Sequence, residues 1–147
     1  IVGISWKSSS KMDTKKSISL EQFILGIYSP NVRYVCLQYG QVIEEIDYIR
    51  MKYDIDICEV KEVDKFNDID HLLALISACD EVISINNITV PLAGAIEKQS
   101  KVLLNANCGW DFGLDDSRSY WFPSLRLFRK HESEKWEELL CRIKEEY

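Results

Sequence analysis

Short apolar runs alternate along the chain with stretches whose apolar residues recur every three or four positions. The first pattern is typical of buried strands and the second of helices with one apolar face. The runs are Ile1–Trp6, Val32–Gln38, Ile55–Val60, Val82–Ile85, Lys101–Leu104 and Leu125–Phe128. Strands that alternate with helices predict an α/β fold, here a Rossmann-like three-layer α/β/α domain with a parallel sheet of about six strands. The commonest layout, which we predict, is the strand order 3-2-1-4-5-6.

Polar residues mark where the predicted helices begin. Ser19 and Gln22, three residues apart, fit a capping box at the start of the first helix. Asp68 or Asp70 is predicted to cap the third helix, and Ser133 the last. The residues 105–120, which contain two glycines, predict the one long loop of the chain.

Length and charge narrow the class of protein. The chain has 147 residues, which predicts one domain over 1–147. Its net charge of −6 argues against a nucleic-acid partner, which needs a basic face. No apolar run is long enough for a membrane span. The sequence starts at Ile1 rather than at methionine, so we expect a piece of a longer protein.

The cysteines and histidines indicate neither a metal site nor disulfides. The five cysteines are scattered, no CxxC is present, and the chain has two histidines. We therefore expect reduced thiols, a cytoplasmic location and no metal cofactor. A GxGxxG motif, a Walker A lysine and a GxSxG elbow are also missing from the sequence, which argues against the NAD-binding, P-loop and α/β-hydrolase classes.

The stretch Glu81–Leu104 supplies the best candidate site. It predicts a buried strand, a polar turn, a helix and a second strand. A helix start at the carboxyl end of a strand favours anions, because its first N–H groups lack helical partners. With the predicted strand order, this turn faces the loop Lys7–Lys11 across the switch point of the sheet. The sequence therefore predicts a phosphate-bearing ligand, with Lys7 and Ser8 on one side and Asn87, Ile88, Thr89 and Val90 on the other.

Several segments together resemble a known family. GISWKSS, VCLQYG, the stretch 70–104, GWDFG and SYWFPSLRLFRK follow one another as in the C-terminal half of GT-B glycosyltransferases. The similarity is greatest to bacterial tetratricopeptide-repeat-associated glycosyltransferases, which are related to the heptosyltransferases of family 9 and to the O-GlcNAc transferases. The resemblance implies a donor-binding domain for a nucleotide sugar, with the acceptor bound by an N-terminal domain that this chain lacks.

The resemblance also implies roles for individual residues. Lys7 and the nearby serines would contact phosphate, Gln38 and Tyr39 would lie at the pocket mouth, and Asn87 and Thr89 would hold the diphosphate with the helix start. No metal is implied. The catalytic residues stay unknown, because the general base of this family usually comes from the other domain. The isolated chain would bind donor weakly and transfer nothing.

Three positions depart from the family pattern and keep two alternatives open. Pro91 stands where the family has histidine, Ile88 replaces a threonine, and Asp111 replaces a cation. One alternative is a catalytically degenerate nucleotide-binding module. The other is a flavodoxin-like interaction domain, in which the polar turns only cap helices.

Overall fold

The strands form one parallel sheet in the predicted order. The computed structural model describes residues 1–8, 17–106, 108, 110–113 and 117–145. In these residues the strands are β1 (Val2–Ser5), β2 (Tyr34–Cys36), β3 (Ile57–Cys58), β4 (Glu81–Ile85), β5 (Ser100–Leu104) and β6 (Leu125–Arg129). Their order is β3-β2-β1-β4-β5-β6, and every neighbouring pair is parallel. The predicted α/β, Rossmann-like fold class and strand order are confirmed.

Helices cover both faces of the sheet. They are α1 (Leu20–Ile27), α2 (Ile43–Tyr53), α3 (Ile69–Ala78), α4 (Thr89–Ala95) and α5 (Trp136–Lys144). Apolar residues of α1, α2 and α5 pack into one core cluster, and those of α3 and α4 pack into another on the opposite face. Strands covered on both faces bury nearly every side chain. All residues of β1 and β5 are accordingly buried, which is why these strands appear in the sequence as apolar runs.

Two of the three predicted helix caps are found. Ser19 Oγ accepts a hydrogen bond from the Gln22 N–H at 3.2 Å. Asp68, rather than Asp70, caps α3 by accepting from the His71 N–H at 3.1 Å. The prediction for Ser133 is wrong, because the chain turns once more before α5 begins at Trp136. That turn carries a hydrogen bond from the Glu134 N–H to the His131 carbonyl at 3.1 Å.

The long predicted loop is partly ordered by backbone pairing. A short 3-10 helix covers Trp110–Phe112, and Arg118 forms an isolated antiparallel bridge with Arg126 of β6. Residues 107, 109 and 114–116 of this predicted loop lie outside the described residues. No helix in the described part of the chain is both long and apolar enough to cross a membrane.

Candidate functional site

The switch point between β1 and β4 brings Lys7 and the turn after β4 together. Residues 9–11 of the predicted loop Lys7–Lys11 lie outside the described residues. The strands run side by side, with Ser5 opposite Ser84 at their carboxyl ends. Because parallel strands end at the same edge of a sheet, the segment after β1 and the turn after β4 meet there. Asn87, in the second of these segments, makes the connection.

Every polar atom of the Asn87 side chain is engaged within the protein. Its Nδ2 donates to Ser5 Oγ at 2.6 Å and to the Lys7 carbonyl at 3.0 Å. Its Oδ1 accepts from the Thr89 N–H at 3.0 Å and from Ser84 Oγ at 3.2 Å. Asn87 therefore ties the start of α4 to both strands at the switch point.

Gln38 plays a matching role at the end of β2. Its side chain is buried, and its Oε1 accepts from Ser5 Oγ at 3.0 Å, from the Trp6 N–H at 2.9 Å and from the Lys7 N–H at 2.7 Å. Three donors on one oxygen fix the backbone after β1. Gln38 and Asn87 thus meet at Ser5, and the polar groups predicted to face a ligand form one internal network.

The positive charge of Lys7 is partly neutralised by Glu45 of α2. The Lys7 ammonium group pairs with Glu45, whose other carboxylate oxygen accepts from Trp6 Nε1 at 3.2 Å. The neighbouring Ser8 N–H donates to Ser17 Oγ at 3.1 Å. Lys7, which the sequence analysis predicted to contact a ligand phosphate, is therefore paired with a carboxylate of the protein itself.

The first N–H groups of α4 are also engaged. Thr89 N–H bonds to the Asn87 side chain, Val90 N–H to the Asn87 carbonyl at 3.1 Å, and Leu92 N–H to the Ile88 carbonyl at 3.4 Å. Pro91 has no N–H. The start of this seven-residue helix is thus capped by its own turn.

The remaining predicted residues point in different directions. Thr89 is fully buried, and its Oγ1 has no hydrogen-bond partner among the residues described. Tyr39 lies apart from this group and packs its ring against Phe66, with a centroid distance of 5.8 Å. Ile88 is 45% exposed and lines, with Val90, a different cavity. The structure therefore gathers Lys7, Gln38, Asn87 and Thr89 around the switch point and leaves Tyr39 outside.

That cavity is an apolar cleft of about 310 Å³ beside the start of α4. One wall comes from the turn after β4 and from α4, and the other from the 3-10 helix and the segment before β6. The lining residues are Asn86, Asn87, Ile88, Val90, Pro91, Asp111, Phe112, Ser119, Trp121 and Phe122. We call it the α4 cleft.

The α4 cleft was missed in the sequence because its walls are about thirty residues apart and meet only through strand pairing. Two of its aromatic residues, Trp121 and Phe122, directly follow the long predicted loop. Phe122 does pack, since its ring lies against Gly94 so closely that a Cβ there would come within 2.5 Å of it. Trp121, however, is 65% exposed. The sequence signal that could have revealed the cleft is the presence of apolar residues in two otherwise polar turns, NNITVP and SYWFP.

The Cys36 thiol, at the end of β2, is not set up as a nucleophile. Burial raises the pKa of the Cys36 thiol well above its ordinary range, and the nearby Glu59 carboxylate raises it further. This thiol therefore stays protonated at neutral pH. In the part of the chain that the structure describes, no group of three or more His, Cys, Asp or Glu side chains is arranged to hold a metal ion. The expectation of a metal-free protein stays a prediction.

Comparisons with known proteins overturn the glycosyltransferase interpretation. No family model matches the chain, and no solved structure matches it. A curated relative, Protein FlbA of Caulobacter vibrioides, is 31% identical over 145 residues, which are 97% of this chain and 24% of FlbA. The predicted resemblance to GT-B glycosyltransferases, and with it the donor-binding function, is wrong, because the relative that aligns with nearly the whole chain is not named as one. The chain is similar to one segment of FlbA and spans about a quarter of that protein's length.

Proposed function

We propose that this chain is a non-catalytic interaction domain, and that the α4 cleft receives an apolar side chain of a partner protein. The observation that carries the proposal is the exposure of Ile88 and Trp121, 45% and 65%, on opposite sides of the cleft. Large apolar groups exposed around a concavity are typical of protein-binding surfaces. Exposed tryptophan is also among the residues that contribute most to binding energy at interfaces.

The base of the cleft is rigid, which favours binding. Phe122 is fixed against Gly94 of α4, and its N–H donates to Ser119 Oγ at 3.2 Å. Phe112 is buried in the same apolar cluster as Val90. A partner side chain would therefore enter a preformed pocket and would not have to order it, which lowers the entropic cost of association.

The hydrogen bonds at the switch point support a structural role for the polar turns. Asn87 and Gln38 bond to backbone and side-chain groups of the segment after β1. Lys7 is paired with Glu45. A ligand phosphate there would have to displace these bonds, whereas an apolar side chain in the α4 cleft displaces only water.

The charge at the cleft indicates which residue of the partner should lie beside the apolar side chain that enters it. Asp111 is exposed at the cleft, and the chain as a whole carries a net charge of −6. A lysine or arginine beside the apolar residue would be attracted by both. The partner that we propose is a peptide segment with an aromatic or branched apolar residue next to a basic residue.

The match to FlbA agrees with an interaction role. The aligned part is 24% of that protein, so in FlbA the similar segment is one region of a much longer chain. Regions of multidomain proteins commonly contact one another or a partner through modest surfaces. The five free cysteines support a reducing compartment, and we place the domain in the cytoplasm on that basis.

Fluorescence anisotropy of short labelled peptides tests the proposal. A peptide with one tryptophan flanked by lysines should bind, and the same peptide with glutamates should bind much more weakly. Trp121→Ala should weaken binding by at least about tenfold. Phe66→Ala is the matched control, because Phe66 is 67% exposed but lies at the end of the sheet near β3.

A charge reversal makes the test specific to this cleft. Asp111→Lys should lower affinity for the lysine peptide and raise affinity for the glutamate peptide. Equal binding of both peptides by wild type and variant would show that the cleft does not select by charge. Equal loss in the Trp121 and Phe66 variants would remove the cleft from the binding site.

A second candidate is nucleotide binding without transfer, at the residues identified in the sequence. The observation that favours it is the buried Thr89 Oγ1, which has no hydrogen-bond partner in the described part of the chain and lies next to Asn87 at the switch point. The contacting residues would be Lys7, Ser8, Gln38, Asn87 and Thr89; Tyr39, Ile88 and Val90, which the sequence also suggested, lie elsewhere. Titration with ADP, UDP and GDP tests it, since saturable binding that Lys7→Ala abolishes would favour this candidate over the interaction domain.

A further inference from the structure

We propose that Arg129, the last residue of β6, is a positioning residue of the α4 cleft. It holds the 3-10 helix Trp110–Phe112, which carries Asp111, and thereby sets the preference of the cleft for a basic partner segment. This role rests on the interaction proposed for the cleft. Arg129 is not one of the residues that line the cleft, so it acts through the backbone of the 3-10 helix.

The alternation of β6 places Arg129 on the face of the sheet that carries the cleft wall. Successive side chains of a strand point to opposite faces, so Leu125, Leu127 and Arg129 share one face. Leu125 and Leu127 are buried in the same apolar cluster as Phe112 of the 3-10 helix. Arg129 follows them at the end of the strand, where its side chain reaches the main chain of that helix.

The guanidinium group of Arg129 makes three hydrogen bonds to the segment 108–113. Its Nη2 donates to the Phe112 carbonyl at 3.1 Å and to the Gly113 carbonyl at 3.2 Å. Its Nη1 donates to Cys108 Sγ. Gly113 has a φ of 70°, the left-handed conformation with which glycine commonly ends a helix. Because the last carbonyl groups of a helix lack partners within it, Arg129 satisfies groups that the 3-10 helix leaves open.

Asp111 depends on these bonds for its position. A short 3-10 helix does little to stabilise itself, because its hydrogen bonds have poor geometry. Phe112 is fixed twice, since its side chain is buried in the apolar cluster and its carbonyl is bonded to Arg129. Asp111, the preceding residue, is exposed at the cleft and is placed by this anchored backbone. Without Arg129 we expect the Asp111 carboxylate to lose its fixed position, and the cleft to distinguish basic from acidic partners less well.

The geometry of the contact requires an arginine. Two nitrogen atoms of one guanidinium group serve three acceptors in a fixed arrangement. A lysine would keep the positive charge but would present a single, strongly hydrated nitrogen on a flexible chain. Arg129→Lys therefore separates the position of the helix from the charge beside the cleft.

Anisotropy titrations with the lysine-flanked and glutamate-flanked tryptophan peptides test this role. The readout is the preference for the lysine peptide, expressed as the ratio of the two dissociation constants. Arg129→Gln and Arg129→Lys should both lower this ratio by at least about threefold, the size expected when one surface charge pair is lost. Arg33→Gln is the control, because it removes an exposed arginine that precedes β2 and should leave the ratio unchanged.

The direction of the change distinguishes positioning from a direct effect of charge. If Arg129 acted only by its charge, Arg129→Gln would make the surroundings of the cleft more negative and would raise the preference for the lysine peptide. Arg129→Lys would then change nothing. A preference that is raised or unchanged in Arg129→Gln, or unchanged in Arg129→Lys, overturns the proposal.

Amide hydrogen exchange of the protein without peptide provides a readout that does not depend on binding. In Arg129→Gln the N–H groups of the segment 110–113 should exchange at least about fivefold faster than in wild type, because lost hydrogen bonds ease local opening. Those of β5 should keep their rates. Unchanged exchange in the segment 110–113 would overturn the positioning role, whichever peptide binds. Faster exchange there, with no binding of either peptide by the wild type, would contradict the function proposed for the cleft and still support Arg129 as the residue that holds the helix.

Discussion

Asn87 Nδ2 lies 2.6 Å from Ser5 Oγ and joins two segments 82 positions apart in the chain. Ser5 ends β1, and Asn87 lies in the turn that leads from β4 into α4. The Ser5 hydroxyl itself donates to Gln38 Oε1, which extends the connection to the end of β2. Three adjacent strands are therefore tied together by side chains at the edge where a ligand was expected.

Replacing Asn87 tests the structural role of this network. Asn87→Ala would remove the hydrogen bonds that the buried Ser5 hydroxyl and the Lys7 carbonyl accept, and it would leave the Thr89 N–H without its side-chain partner. We expect the free energy of unfolding, measured by urea denaturation, to fall by about 3 kcal/mol. Asn86→Ala is the control, because Asn86 lines the α4 cleft without belonging to the network, and it should change stability by less than about 0.5 kcal/mol. Equal effects of the two substitutions would contradict the role of Asn87.

The hydrophobic pattern predicted the fold because each strand and helix is decided locally. Apolar runs such as that of β5 are long enough to be recognised without a partner. The candidate site is decided by contacts that the pattern does not contain. The Glu45 carboxylate that pairs with Lys7 is 38 positions away in the chain. The predicted cap of α5, Ser133, was misplaced because an extra turn follows His131. The sequence therefore offered residues of a type that can bind phosphate, but it did not show the partners that they have within the fold.

Gly94 tests the packing that forms the base of the α4 cleft. In Gly94→Ala the new Cβ would lie 2.5 Å from Phe122 Cγ, so the ring must move. We expect a loss of about 1–3 kcal/mol in the free energy of unfolding and weaker binding of the lysine-flanked peptide.

A second helical glycine provides the control for this substitution. Gly26→Ala in α1 meets Leu140 Cβ at 2.6 Å, a similar clash on the other face of the sheet. It should lower stability to a comparable extent and leave peptide affinity unchanged. Unchanged affinity in Gly94→Ala would mean that the position of Phe122 does not matter for binding.

The cysteines should react in an order that follows their burial. Cys58 and Cys141 are exposed, whereas Cys36 and Cys79 are buried. Burial also raises the pKa of both the Cys36 and Cys79 thiols, which keeps them protonated and unreactive. Labelling with a thiol reagent followed by mass spectrometry of peptides should find Cys58 and Cys141 first, with Cys36 and Cys79 modified only in denaturant. Early labelling of Cys36 would contradict the packing of β2.

The Asp68 cap of α3 predicts that the stability of the protein depends on pH. The hydrogen bonds from the backbone and side chain of His71 hold the pKa of Asp68 below its ordinary value. Because its pKa is lower in the folded state, the ionised Asp68 stabilises the fold at pH values above about 4, the pKa of this group in the unfolded chain. This stabilisation is lost as the pH falls through the folded-state pKa. Asp68→Ala should lower the melting temperature by about 2–4 °C at pH 7.

The difference between wild type and Asp68→Ala should shrink in acid, where the carboxylate is protonated in both states. Asp70→Ala is the control, because Asp70 lies in the first turn of α3 but does not cap it. A difference between wild type and Asp68→Ala that is the same at pH 7 and in strong acid would show that the charged cap does not stabilise α3.

The most direct test of the interaction domain is an NMR titration with the lysine-flanked tryptophan peptide. Resonances of the Ile88 methyl groups and of the Trp121 indole N–H should shift together and saturate, because both residues line the α4 cleft. Those of Tyr39 and Phe66, at the end of the sheet near β3, should stay in place. Saturable shifts confined to Ile88, Trp121 and their neighbours are the predicted result. Shifts that centre on Lys7, Gln38 or Tyr39, or that never saturate, would contradict the account.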